Sequence, residues 1–249
     1  MSAETERSRI LVQELAGRCR AELIPLTSRV SYFATVPMAE EDLRQYLHDP
    51  IAALPPSIGT ALPKIGVVLA PFLERGNGKH GDVVCYERPP EHRAALTSRV
   101  KSGDLWMLVF ATREIEVADY HYQLYNVLAG LVADSWPVEV QEQYYRILRE
   151  ELGSEMHGEV DEKSWHLKQA LLRRQANTRK ETKLFRDYAR QSFEDTLTLY
   201  LHGTCCDIDV ETGPRQMPSR CLRRRIEALM SIYPPPEGYA VLPEQLKSR

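Results

Sequence analysis

Apolar residues recur along this chain with two different periods, and the switch between them falls near residue 116. From Glu116 onward, Val117, His121, Leu124, Leu128 and Leu131 follow one another at steps of four and three, the stripe of an amphipathic helix. Ser135-Trp136-Pro137 marks a turn, after which Val140, Tyr144, Leu148 and Leu152 stack at i+4. This second helix is expected to end at His157-Gly158, where glycine can take the left-handed conformation, and Asp161 can cap a third. Between Glu159 and His202 there is neither glycine nor proline, so the pattern alone allows one very long helix. Thr178 with Glu181 three residues later has the spacing of a capping box and predicts a split near Asn177. The fourth helix then carries Phe185, Ala189, Phe193, Leu197 and Leu201 and ends at His202-Gly203.

Before residue 116 the pattern is mixed. Leu11, Leu15, Cys19 and Leu23 define one helical face that Pro25 ends. SRVSYFATVP reads as a short strand, and AEEDLRQYLHDP as a helix stopping before Pro50. A proline-punctuated link from Pro50 to Pro63 leads to KIGVVLAPFLE and DVVCYERPP, two β-branched runs. The turn-rich RGNGKHG between them contains Asn77-Gly78, a hairpin signal, so the two runs are expected to pair as a 64–90 hairpin. DLWMLVFATRE adds a further apolar strand. The fold class that follows is α+β, predominantly α: a small central sheet with a hairpin, then a layer of amphipathic helices arranged as a four-helix bundle. Residues 1–249 are read as a single domain, with a mixed α/β half at 1–115 and a helical half at 116–249 that ends in a polar C-terminal tail.

Composition fits this picture and narrows location. The 249 residues are 43% hydrophobic and 27% charged, an ordinary globular balance that argues against global disorder. No run reaches the roughly eighteen apolar residues of a membrane span, and MSAETERSRILVQEL lacks a signal peptide's apolar core. Five cysteines without regular spacing read as reduced thiols, so the expected location is the cytoplasm, with no membrane partner.

A net charge of −3 supplies no global drive toward nucleic acid. Locally, residues 139–162 hold eight acidic and two basic side chains, and 163–190 hold nine basic and two acidic. An intramolecular match between neighbouring helices accounts for this, and PSRCLRRR near residue 220 is a second basic cluster. Nucleic acid is not the expected partner, because aromatic residues are not interleaved with the basic ones as stacking platforms; a protein partner is.

Complete catalytic motifs are absent. DIDVETG, residues 207–213, resembles the first acidic motif of the DEDD-type exonucleases, which would make Asp209 and Glu211 metal-holding residues. Only thirty-six residues follow Gly213, too few for that family's remaining acidic motifs. GNGKHG lacks the spacing and the Ser or Thr of a phosphate-binding loop, and His48-Asp49 lacks the histidine that would complete a metal-phosphohydrolase signature. His202, Cys205, Cys206 and the distant Cys221 suggest zinc, but structural zinc uses ligands two to four residues apart, and His202 suits the last turn of a helix.

His121 sits on an apolar stripe, where a ring bonded to a backbone carbonyl or a tyrosine is the default. In an up-down bundle, helical rise places His121 about 20 Å and His157 about 30 Å from the Ser135 turn, with His166, Glu194 and Asp195 returning to similar depth. His121, His157, His166 and Glu194 are therefore the candidate ligands for a divalent transition metal, zinc, iron or manganese, which could activate water for hydrolysis. Two functions follow: a binding or regulatory protein without its own chemistry, and, as the alternative, a metal-dependent hydrolase.

Overall fold

The computed structural model describes residues 9–77, 81–113, 115–154, 156–173, 180–206 and 217–241. The chain divides into two compact units: Met1–Ala52 with Leu62–Gln123, and Ala53–Ala61 with Leu124–Arg249. The class is α+β and predominantly helical, with both sheets in the first unit.

In the first unit β1 (Arg9–Leu11) leads directly into α1 (Val12–Cys19), whose Val12, Leu15, Ala16 and Cys19 are buried at steps of three, one and three. β2 (Ile24–Pro25), β3 (Val30–Ala34), β4 (Lys64–Ala70), β8 (Thr97–Ser102) and β9 (Leu105–Ala111) form a five-stranded sheet in the order β2-β3-β4-β9-β8. Its three central strands are parallel, with Val67 facing both Tyr32 and Leu108 in register. Such strands are covered on both faces, which explains why β4 and β9 read as nearly unbroken apolar runs while edge strand β8 alternates. A Cβ on Gly66 of β4 would lie 2.7 Å from Met107 Sδ and 3.2 Å from Leu23 Cδ1, so glycine permits that approach.

The second sheet, β1-β6-β5-β7, adds β5 (Phe72–Glu74), β6 (Val83–Cys85) and β7 (Ala94–Ala95). The expected 64–90 hairpin is thus confined to 72–74 against 83–85. Pro71, which has no N–H for a ladder, separates β4 from β5, and the two halves of KIGVVLAPFLE join different sheets. Asn77 is described, but Gly78 lies outside the described residues. The segment before Pro50 also differs from expectation: α2 (Glu40–Leu43) widens into a π turn at Arg44–His48 and continues as α3 (Asp49–Ala52). The wide turn lets the chain pass a residue with no N–H, and Pro50 then occupies the first turn of α3, where none is needed.

The helical series comprises α4 (Pro56–Ala61), α5 (Val117–Ala133), α6 (Val138–Gly153), α7 (Glu162–Arg173), α8 (Lys183–Cys205) and α9 (Ser219–Ile232). The division between the units falls within α5, between Gln123 and Leu124. In the second unit α8 packs against α6, α7 and α9 and is buried on nearly every side, as an axial helix must be.

Among the described residues, 161–202 hold two helices separated by non-helical 180–182, and the capping side chain is Thr182, whose Oγ1 accepts from Phe185 N–H at 3.2 Å. Thr178 and Asn177 lie outside the described residues. α6 stops at Gly153, before His157-Gly158, because Ser154 and Met156 N–H close back on the carbonyls of Glu150 and Glu151. After α8, α9 buries Leu222, Ile226 and Leu229 on one face.

Candidate functional site

The second unit contains a closed cluster of ionisable groups at its centre. α6 brings in Tyr144 and Glu151, seven residues apart and so on one face. α8 contributes Tyr188, Ser192 and Thr196 at i+4 steps, α7 contributes Lys168, and α9 contributes Arg225 from between Leu222 and Leu229. Glu159 comes from the connector between α6 and α7. There Gly158 adopts φ 81°, a backbone that glycine takes without strain, and its carbonyl accepts from Lys168 Nζ at 2.9 Å.

Arg225 is fully buried, and all five of its N–H groups are accounted for. Nε donates to Glu151 Oε2 at 3.0 Å, and Nη2 donates to Glu151 Oε2 at 2.5 Å and Glu159 Oε1 at 3.0 Å. Nη1 donates to Glu159 Oε2 at 2.8 Å and Ser192 Oγ at 2.7 Å. The fork thus meets two carboxylates at once, the geometry in which guanidinium is strongest. Glu159 also accepts from the Tyr188 hydroxyl and pairs with Lys168 Nζ at 3.5 Å. Tyr144 hydroxyl lies 2.8 Å from Thr196 Oγ1 and donates to the Ser192 carbonyl at 3.0 Å.

Two cations and two carboxylates balance to zero, which is how charges persist where water is excluded. Burial pushes the Glu159 carboxyl upward, but Arg225, Lys168 and the Tyr188 hydroxyl together outweigh it, and the group is held below the usual carboxylate range. Burial depresses the Lys168 ammonium despite the opposing pull of Glu159. Tyr144 is pushed up to about 12, chiefly by burial, so it stays a neutral hydrogen-bonding phenol.

Asp195, also on α8, is a different case. It is 4% exposed, and Gln191 Nε2 donates to its Oδ1 at 2.7 Å, while Oδ2 has no hydrogen-bond partner among the described residues. Burial raises its pKa to about 7, against the lowering influence of the nearby Ser164 and Gln191 side chains and with a small push from Asp161 and Glu194.

The residues selected from sequence occupy other places. His121 is buried in the first unit, where its Nε2–H donates to Gln45 O at 2.8 Å and its ring meets Tyr120, the environment expected of a core histidine. His157 is exposed on the α6–α7 connector. His166 is exposed on α7 and lies 3.4 Å from Glu162, and Glu194 pairs with Arg190 at 2.8 Å. Among the described residues, His157, His166 and Glu194 do not bring their ligand atoms within 4.8 Å of one another. The basic cluster near residue 220 is largely matched within the chain: Arg223 with Glu227, Arg224 with Glu150, and Arg225 with Glu151 and Glu159. Asp209 and Glu211 lie outside the described residues.

Glu151, Glu159, Lys168, Tyr188, Ser192 and Arg225 were not anticipated. A signal existed for two of them: Arg225 lies within the Leu222, Ile226, Leu229 stripe, and Glu151 adjoins Leu148 and Leu152 on theirs. A charge on an apolar stripe calls for a partner of opposite sign on the facing element. In the first unit the same logic holds for Glu74, buried under β5 with Arg9 and with Arg93 Nη2 at 2.6 Å.

Comparison with protein families, with curated proteins and with solved structures finds no match. Among the described residues no helix is long and apolar enough to cross a membrane.

Proposed function

We propose that this chain is a cytoplasmic binding or regulatory protein that carries no chemistry of its own. The observation that supports this reading is the closed state of the Arg225 cluster. Every N–H of its guanidinium already has an acceptor, and both carboxylates are held by cations away from solvent. A catalytic group needs a vacant position for substrate, and this cluster offers none. Its role is to tie α6, the connector, α7, α8 and α9 into one rigid body. A rigid helical body suits presentation of a surface to a protein partner.

Exposed basic side chains supply that surface on α7 and at the start of α8: Lys163, Arg173, Lys183 and Arg186. An acidic protein partner fits them, in preference to nucleic acid, given the net charge of −3. The test is recovery of a partner from extract, followed by reconstitution from purified components. Charge reversal at Lys163 and Arg173 should weaken the complex, as should added salt. The competing proposal, a zinc, iron or manganese hydrolase using His121, His157, His166 and Glu194, predicts stoichiometric metal and turnover in a hydrolase screen, both lost in a folded His121→Ala variant. That outcome would replace the binding reading.

A further inference from the structure

Helix α8 ends in two consecutive cysteines whose sulfurs converge. Cys205 is its last helical residue, and Cys206 turns to an extended backbone (φ −127°, ψ 148°) while its N–H still reaches His202 O at 2.8 Å. Successive side chains on a regular helix diverge by about 100°, yet here the two Sγ atoms lie within 4.8 Å of each other. Both residues are half-buried and neither is in a disulfide. The Tyr125 side chain adjoins that of Cys205.

Adjacent cysteines are poor disulfide partners. A trans peptide fixes their Cα atoms about 3.8 Å apart, whereas ordinary disulfides begin at about 4.4 Å. A bridging ion is less demanding. Metal–sulfur bonds of about 2.3 Å let one ion span two sulfurs separated by up to about 4.6 Å, a separation compatible with this pair without rebuilding the helix end. Within the second unit the pair offers two thiols, a number that soft monovalent cations accept.

We propose that Cys205 and Cys206 form a dithiolate site for a soft, thiolate-seeking cation of the cuprous class. Binding replaces two S–H bonds with two S–metal bonds and releases two protons, with no change of oxidation state. The product carries one net negative charge. The negative end of the α8 dipole opposes that charge, and the hydroxyl of Tyr125 stabilises it. Affinity therefore rises with pH.

The test is an anaerobic titration of the full-length protein with cuprous ion against a chromophoric cuprous chelator. Wild type should withhold one equivalent, with thiolate-to-metal charge-transfer absorption in the ultraviolet. Cys205→Ser and Cys206→Ser should each weaken binding more than tenfold, and Cys221→Ser should leave it unchanged. Failure of folded wild type to withhold an equivalent overturns the proposal, and so does equal binding by a Cys205→Ser/Cys206→Ser variant. Should the serine variants not fold, alkylation of wild type decides: joint protection of Cys205 and Cys206 by the ion supports the site, and unchanged labelling of both contradicts it.

Discussion

Asp195 and Glu159 lie in the same helical unit and respond to burial in opposite directions. Glu159 has Arg225 to offset its desolvation and stays ionised; Asp195 has no cation paired with it among the described residues and holds its proton to about pH 7. The consequences for stability have opposite signs. Asp195, raised above its unfolded value, exacts no cost below about pH 4, a growing cost as pH rises, and its full cost above about pH 7. Glu159, depressed, contributes fully above the unfolded carboxylate pKa and loses that contribution as pH falls through its folded value. Stability of the helical unit should therefore be greatest near about pH 4 and decline on both sides. Asp195→Asn should raise stability by a few kcal/mol, on the order of 4 at most, at pH 8 and by little at pH 4. Urea denaturation at the two pH values measures this, and an equal effect at both would contradict it. Neither residue's partners were legible in sequence, because periodicity gives the direction a side chain faces and says nothing of what faces it. The depth argument for His121, His157, His166 and Glu194 had the same weakness.

Helices were legible wherever the apolar stripe was wide and punctuated. α5, α6 and α8 carry Leu, Tyr and Phe at i+4, and their cores follow the stripes. α9 was hidden because three consecutive arginines interrupt its stripe, although Leu222, Ile226 and Leu229 are spaced as a helix requires. Strand β1 was hidden for another reason. A three-residue strand has too little pattern to register, and its pairing with β6 is a long-range event. Helix ends were the least legible: the cap is Thr182, and Gly158 shapes a connector beyond α6. Thr182→Ala should cost about 1 kcal/mol by loss of its bond to Phe185 N–H. Gly158→Ala should cost about 1–2 kcal/mol because φ of 81° strains any Cβ. Thermal unfolding of each variant checks both, and an unchanged midpoint for Gly158→Ala would show that the connector does not need that backbone.

At the scale of the whole molecule, the charge asymmetry visible in sequence is met by internal pairing, in part between the two expected segments, as in Glu159 with Lys168, and in part with α9. Acidic α6 meets α9 through Glu150 with Arg224 and Glu151 with Arg225, while Arg149 of α6 pairs with Glu181. The exposed pairs contribute little. The buried cluster is different, because removing one member leaves a charge stranded without water. Arg225→Met should destabilise by about 3–5 kcal/mol, and Glu159→Gln should also destabilise substantially. The central claim is that these groups are committed to one another. Its most direct test is a double-mutant cycle between Arg225 and Glu159 by urea denaturation at pH 7. A favourable coupling of about 2 kcal/mol or more is the predicted result, and additivity within about 0.5 kcal/mol would contradict it.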